Sequence, residues 1–163
     1  MNELVLRSRQ RDRRVRLPLL REMTIALLED QLGLRDYQLG ILLVTAKAMA
    51  STNAAFLHHE GATDVITFDH RQEPQGAMFG ELYICVAVAV EQAAQFETTW
   101  EEELVRYVVH GVLHLLGHDD LQPGPRRKMK QAESRHLKAL AAKFPLETLN
   151  QGALKGQERS RLI

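Results

Sequence analysis

The sequence predicts an α+β domain: a small mixed β-sheet of about four strands packed against a helical layer, with its chemistry on a central buried helix and the turn after it. Three observations predict it. A chain of 163 residues, 45% hydrophobic and 26% charged, suits one packed core. Its first half holds short apolar runs rich in branched residues and bounded by turn formers. Beyond Ala87 the apolar period becomes helical.

Taken in order, Leu4, Val5 and Leu6 head an arginine-rich segment that reads as a fourth strand at a sheet edge. Pro18 opens a helix whose Leu20, Met23, Leu27 and Leu28 fall at helical spacing, with Gly33 as its C-terminal cap. Leu39 to Ala46, Asp64 to Phe68 and Met78 to Ala87 read as strands, the last two joined by a hairpin loop from Arg71 to Gly76. A helix then runs to about Glu97. Thr98 with Glu101 and Thr99 with Glu102 offer two overlapping capping boxes, so a new helix starts at Trp100 and continues to Gly117, buried nearly all round in its second half. After Pro123-Gly124-Pro125, a last helix carries Met129, Ala132, His136, Leu137 and Leu140. From about Leu146 the chain is polar, and the expected division is a domain over 1–146 and a mobile tail over 147–163.

Lys and Arg number 21 and Asp and Glu 21, a formal net charge of +0. That balance excludes indiscriminate binding along nucleic acid, although Arg7, Arg9, Arg11, Arg13, Arg14 and Arg16 stand against only Asp12 in one segment, an excess able to attract an anionic surface. Cys85 is the single cysteine; it closes no internal disulfide, reads as core, and points to a reducing cytoplasmic compartment. No run approaches the roughly twenty apolar residues of a membrane span, and charges stand where a signal peptide needs its apolar stretch. Neither membrane nor secretion is expected.

The chemistry concentrates in His110-Gly-Val-Leu-His114-Leu-Leu-Gly117-His118-Asp119-Asp120. Histidines four apart stand on one helix face, where both imidazoles reach one divalent ion, most plausibly zinc with three protein ligands. In a continuous helix His118 would lie about 12 Å from His110 along the axis, too far to share that ion. The chain must turn back, and Gly117 suits the left-handed conformation that ends a helix. Asp119 and Asp120 both qualify as third ligand by reach. His-Glu-x-x-His peptidases place a glutamate after the first histidine; here Gly111 stands there, so peptidase chemistry by that route lacks its base.

These residues resemble the YbeY-type metal-dependent endoribonucleases, whose pattern His-Gly-x-Leu-His-Leu-x-Gly-Tyr-Asp-His is met with departures at His118 and Asp120. Upstream, Asn53, Phe56 and Thr63-Asp64-Val65-Ile66-Thr67-Phe68 are similar to the family's Asn, aromatic and Thr-Asp-Val-Leu-Ser-Phe, and Gly80-Glu81-Leu82-Tyr83-Ile84 to its Gly-Asp-Ile-x-Ile strand start. Thr63 and Asp64 also read as turn-to-strand residues, Asn53 as a helix-end or turn residue, and Phe68 as core. The resemblance covers roughly Leu39 to Leu140. It implies one Zn2+ per chain held by His110, His114 and Asp120, the last in place of the family's third histidine, which weakens the metal as a Lewis acid. It implies His118 as an acid or base, and an RNA backbone guided by Arg7, Arg9, Arg11 and Arg13. The family's arginine after the aromatic falls on Leu57, leaving His58, His59 or Arg71 to take its place. Activity implied by the resemblance is single-strand endoribonucleolytic cleavage in 16S ribosomal RNA 3′-end maturation and ribosome biogenesis. The implied partners are ribosomal RNA, the small ribosomal subunit, ribosomal proteins and a ribosome-associated GTPase. The alternatives are a metal-containing assembly factor without catalysis and another zinc hydrolase such as a peptidase.

Overall fold

The computed structural model describes residues 2–57 and 63–152, with the side chains of Phe56 and Leu57 excepted. The expected α+β architecture is what the chain adopts. Strand β1 (Asn2–Ser8) leads through α1 (Leu17–Ile25), which runs on as a π-helical segment over Ala26–Gln31, to β2 (Tyr37–Val44). Helix α2 (Ala46–Thr52) follows, with a π-helical continuation over Asn53–Leu57; then come β3 (Val65–Asp69), β4 (Met78–Cys85), α3 (Val86–Phe96), α4 (Trp100–Leu115), α5 (Pro123–Lys143) and a 3-10 turn over Leu146–Leu149.

The sheet has four strands in the order β1-β2-β4-β3. β1, β2 and β4 are parallel, and β3 returns antiparallel beside β4 through the Arg71–Gly76 loop. Alternation along β2 and β4 sends Leu39, Ile41, Leu43, Leu82 and Ile84 into one fully buried core with α1, α4 and α5. The opposite face is closed in part by α2, where Met49 packs with Val44, Ile66 and Cys85. Residues of α4 thus lie beneath β4 and β3, which fixes the site relative to the sheet.

Three expectations need correction. The run from Leu39 to Ala46 ends as strand at Val44, because Thr45 caps α2, its Oγ1 accepting the Ala48 N–H at 3.1 Å. Thr98 and Glu101 form no capping box: Thr99 Oγ1 accepts the Glu102 N–H at 3.2 Å and caps α4, while the Thr98 hydroxyl donates to Glu103 Oε1 at 2.9 Å. The chain also remains packed beyond residue 146, since Leu149 is fully buried and Gln151 N–H donates to the Arg14 carbonyl at 2.9 Å. Residues 153–163 of the expected tail, and His58 and His59, lie outside the described residues.

Candidate metal centre

Helix α4 is built to hold its second half still. Thr99 caps it, Glu101, Glu102 and Glu103 oppose its dipole in the first turn, and Val108, Val109, Val112 and Leu113 bury it. Gly111 lets it approach the sheet: a Cβ there would stand 2.7 and 2.9 Å from the two δ-methyls of Leu82. A glutamate at that position would point at β4 instead of at the site, which removes the base of a His-Glu-x-x-His peptidase for a structural reason.

The helix ends as the sequence requires. Gly117 takes φ +99°. Its N–H donates to the His114 carbonyl at 3.0 Å and that of His118 to the Leu113 carbonyl at 3.1 Å, the paired bonds of a Schellman motif. The chain therefore folds back over α4. Asp119 is used in the turn, where its Oδ1 accepts the Leu121 N–H at 2.8 Å. Asp120 instead turns its carboxylate to the helix, with Oδ2 3.8 Å from His110 Nε2.

His110 is held from behind by a residue that sequence reasoning missed. Its Nδ1 lies 3.0 Å from Glu133 Oε2 on α5, and a carboxylate can only accept, so Nδ1 carries a proton, while Nε2 faces Asp120. Glu133, with a side chain only 12% exposed, is balanced by Arg106, whose Nη1 donates to Oε1 at 3.4 Å. Arg106 Nε in turn lies 3.9 Å from buried Glu103. The Glu133 hydrogen bond raises the His110 pKa above its ordinary value; burial opposes the rise, and the Asp64 and Asp120 charges add to it. A signal for Glu133 existed: it stands four residues from both Met129 and Leu137, a carboxylate set within the buried stripe of α5.

A cavity of about 760 Å³ opens beside His110 and Asp120, between α4 and α5. Asp64 lines it while its Oδ1 accepts the Val65 N–H at 2.8 Å, so this residue both starts β3, as a turn-to-strand residue should, and borders the site. Tyr107 lines it too. Its hydroxyl is the one buried side-chain polar atom without a hydrogen-bond partner among the described residues, and burial pushes its pKa well up.

Other expected site residues are placed as follows. His114 is exposed one turn beyond His110. Among the described residues no three His, Cys, Asp or Glu side chains are drawn together closely enough to hold an ion. The donors nevertheless suit a divalent transition ion: an imidazole whose Nε2 faces a half-exposed carboxylate, and a second histidine whose exposed side chain is free to change rotamer. His118 is half-buried and does not line the cavity. Nor do Arg7, Arg9, Arg11 and Arg13; Arg11 and Arg13 line a separate surface hollow with Ser8 and Gln10. Arg71 is committed elsewhere, to Asp69 at 2.7 Å and to the Leu115 carbonyl at the end of α4 at 3.1 Å. Asn53 is buried at the head of the π-helical segment. Phe68 packs its ring edge-to-face on Tyr83 in the second core. Cys85 is a core thiol whose pKa burial pushes up. No helix among the described residues is long and apolar enough to cross a membrane.

Residues 7–141 match the family model described as Endoribonuclease YbeY. Curated proteins of that name are similar to this chain. One from Salinibacter ruber is 38% identical over 109 residues, covering 63% of this chain and 69% of its own length. A second, from Rhodopirellula baltica, is 38% identical over 109 residues, covering 66% and 56%. A third, from Chlorobium luteolum, is 42% identical over 88 residues, covering 54% and 63%. The matches thus span between 56% and 69% of the length of these relatives. The solution structure of TM1509 from Thermotoga maritima superposes with a TM-score of 0.65 at 25% identity, covering 86% of this chain and 90% of that one.

Proposed function

This chain belongs to the endoribonuclease YbeY family, and from that premise we propose that it is a metal-dependent endoribonuclease that cuts single-stranded RNA in ribosomal RNA processing. The observation that carries the reading is the return of Asp120 to within 3.8 Å of His110 Nε2 while Glu133 holds Nδ1 from the other side. A ligating histidine has one ring nitrogen held by a carboxylate and the other facing its fellow ligands, and Glu133 and Asp120 stand in those two places.

In this reading His110, His114 and Asp120 hold one divalent ion, zinc being the best match to two imidazoles and a carboxylate. When bound, it supplies neutralisation of the charge that builds on phosphate oxygens during cleavage. The protein's own part is positional. Glu133 and Arg106 keep the His110 ring in one orientation, and the Schellman turn keeps Asp120 over the helix. His118, on that same turn, is the proposed proton donor or acceptor. The arginines of β1 and the loop after it are a further proposed contact for the RNA backbone, outside the lining of the cavity. The proposed setting is the cytoplasm, on the small ribosomal subunit, with 16S ribosomal RNA 3′-end maturation as the step served, and ribosomal proteins and a ribosome-associated GTPase as partners.

Metal analysis of the purified protein, followed by cleavage of single-stranded ribosomal RNA by wild type and His114→Ala, tests this. One zinc per chain and cleavage lost in the variant are expected. Stoichiometric metal with no metal-dependent cleavage overturns the nuclease and leaves an assembly factor. Full metal content in Asp120→Ala removes Asp120 from the ligand set.

A further inference from the structure

We propose that the cavity between α4 and α5 seats one unpaired base of the RNA strand, with Phe96 as its stacking face and Arg126 and Lys130 taking the flanking phosphates. The proposal deepens the ribonuclease reading and rests on it.

Three independent features converge on this space. The cavity, at about 760 Å³, falls within the range of about 300–1,000 Å³ typical of ligand pockets, and it reaches His110 and Asp120 at one end. Phe96 on its rim is 60% exposed, with no aromatic partner among the described residues. It ends α3, where Glu97 takes the left-handed conformation at φ 56°, a strained geometry for a non-glycine residue that leaves the ring at the cavity mouth.

The third feature is charge. Helix α5 begins with no acidic residue in its first turn and no side-chain cap, yet carries Arg126, Arg127, Lys128 and Lys130 in its N-terminal half. Cations at that end oppose the helix dipole, and an anion there offsets both. Arg126 and Lys130 stand four residues apart on the face that lines the cavity. Arg126 Nε donates to the Asp120 carbonyl at 2.7 Å, which leaves its terminal nitrogens for phosphate. Lys130 has no ion-pair partner among the described residues. An aromatic platform beside a basic track is how proteins hold single strands, the stack taking the base and the cations the backbone.

The test is binding, measured in chelator by fluorescence anisotropy, of 2′-O-methyl oligoribonucleotides of about twelve nucleotides and of a base-free sugar–phosphate strand of equal length. Wild type is expected to prefer the base-containing strand by roughly tenfold or more, and Phe96→Ala to remove most of that preference while leaving the base-free strand unchanged. Arg126→Ala should weaken both strands alike and lower the salt slope by about 0.7. Wild-type indifference to the presence of bases, or a Phe96→Ala loss equal for both strands or absent, overturns the pocket while metal-dependent cleavage still stands. Failure to bind either strand, together with failure to cleave, overturns the ribonuclease reading as well.

Discussion

Gly111→Ala sets two known magnitudes against each other. In a helix interior alanine is favoured over glycine by about 1 kcal/mol. Against that, the new Cβ would stand 2.7 and 2.9 Å from the Leu82 δ-methyls and 3.3 Å from Cγ, where carbons prefer about 3.5–4.0 Å. Leu82 is fully buried, and with its branch point crowded as well as its tips it has no open side to rotate into. Overpacking of this kind costs about 1–3 kcal/mol, so the net loss is roughly 1 kcal/mol, or about 2–4 °C of melting temperature for a domain of this size. Two other glycines calibrate the argument. A Cβ at Gly40 meets only the half-exposed Glu81 side chain, Cγ at 3.3 Å, which can give at the expense of its 2.9 Å pair with His70, so Gly40→Ala should be near neutral. At Gly80 it meets the Phe68 carbonyl oxygen at 2.6 Å, fixed within the β3–β4 ladder, so Gly80→Ala should cost most. Thermal melts followed by circular dichroism give the order directly. If Gly111→Ala melts at or above Gly40→Ala, the close approach of α4 to the sheet is not what holds that helix. Lifting α4 also moves His110 and His114, so metal affinity should fall along with the melting temperature.

Glu133→Gln keeps an acceptor for His110 but loses the charge that Arg106 pairs with; divalent-metal affinity by calorimetric titration should drop about 10- to 100-fold, and an unchanged affinity would remove Glu133 from the site. Buried His136 bonds Gln31 through Nδ1 at 2.9 Å, and burial lowers its pKa, with the charges of Arg135 and His118 acting the same way. Because the folded value lies below the unfolded one of about 6.5, its neutral form stabilises the fold above that pH, and this contribution is lost as pH falls through the folded value. Urea midpoints should therefore decline below about pH 6.5 in wild type and less steeply in His136→Gln. Glu97→Gly relieves a left-handed residue that costs about 1–2 kcal/mol, less the extra chain entropy of glycine, and should raise the melting temperature by a few degrees. A lower melting point in that variant would mean the Glu97 side chain holds the turn.

What is readable in the sequence is local. Thr99, the acidic turn, the apolar run and Gly117 each act within a few residues, so the limits of α4 and the chain reversal after it follow from neighbouring residues alone. Ligand choice at the turn needs geometry, because Asp119 and Asp120 have equal reach until one is consumed by the Leu121 amide. Thr45 is a cap hidden at the end of an apolar run, and it conceals the start of α2. Glu133 acts across 23 residues, and pairing of that kind leaves only an oddly placed carboxylate as its trace. Leu146 and Leu149, three apart in a polar stretch, are too few to announce a packed turn, yet both are buried.

The strand order has a consequence for synthesis. β4 lies between β2 and β3 although it is the last strand made, so β2 presents an unpaired edge from the time Val44 is added until Cys85 emerges about forty residues later. At about 5–20 residues per second that is an interval of seconds during which β1, α1 and β2 stand without the strand that completes their core. The β3–β4 hairpin closes across a short loop, and its formation delivers the missing neighbour. The nascent chain thus passes through a stage in which a parallel β-α-β unit waits with one side open, and that stage is where a slowed ribosome or a strand-pairing intruder does most damage.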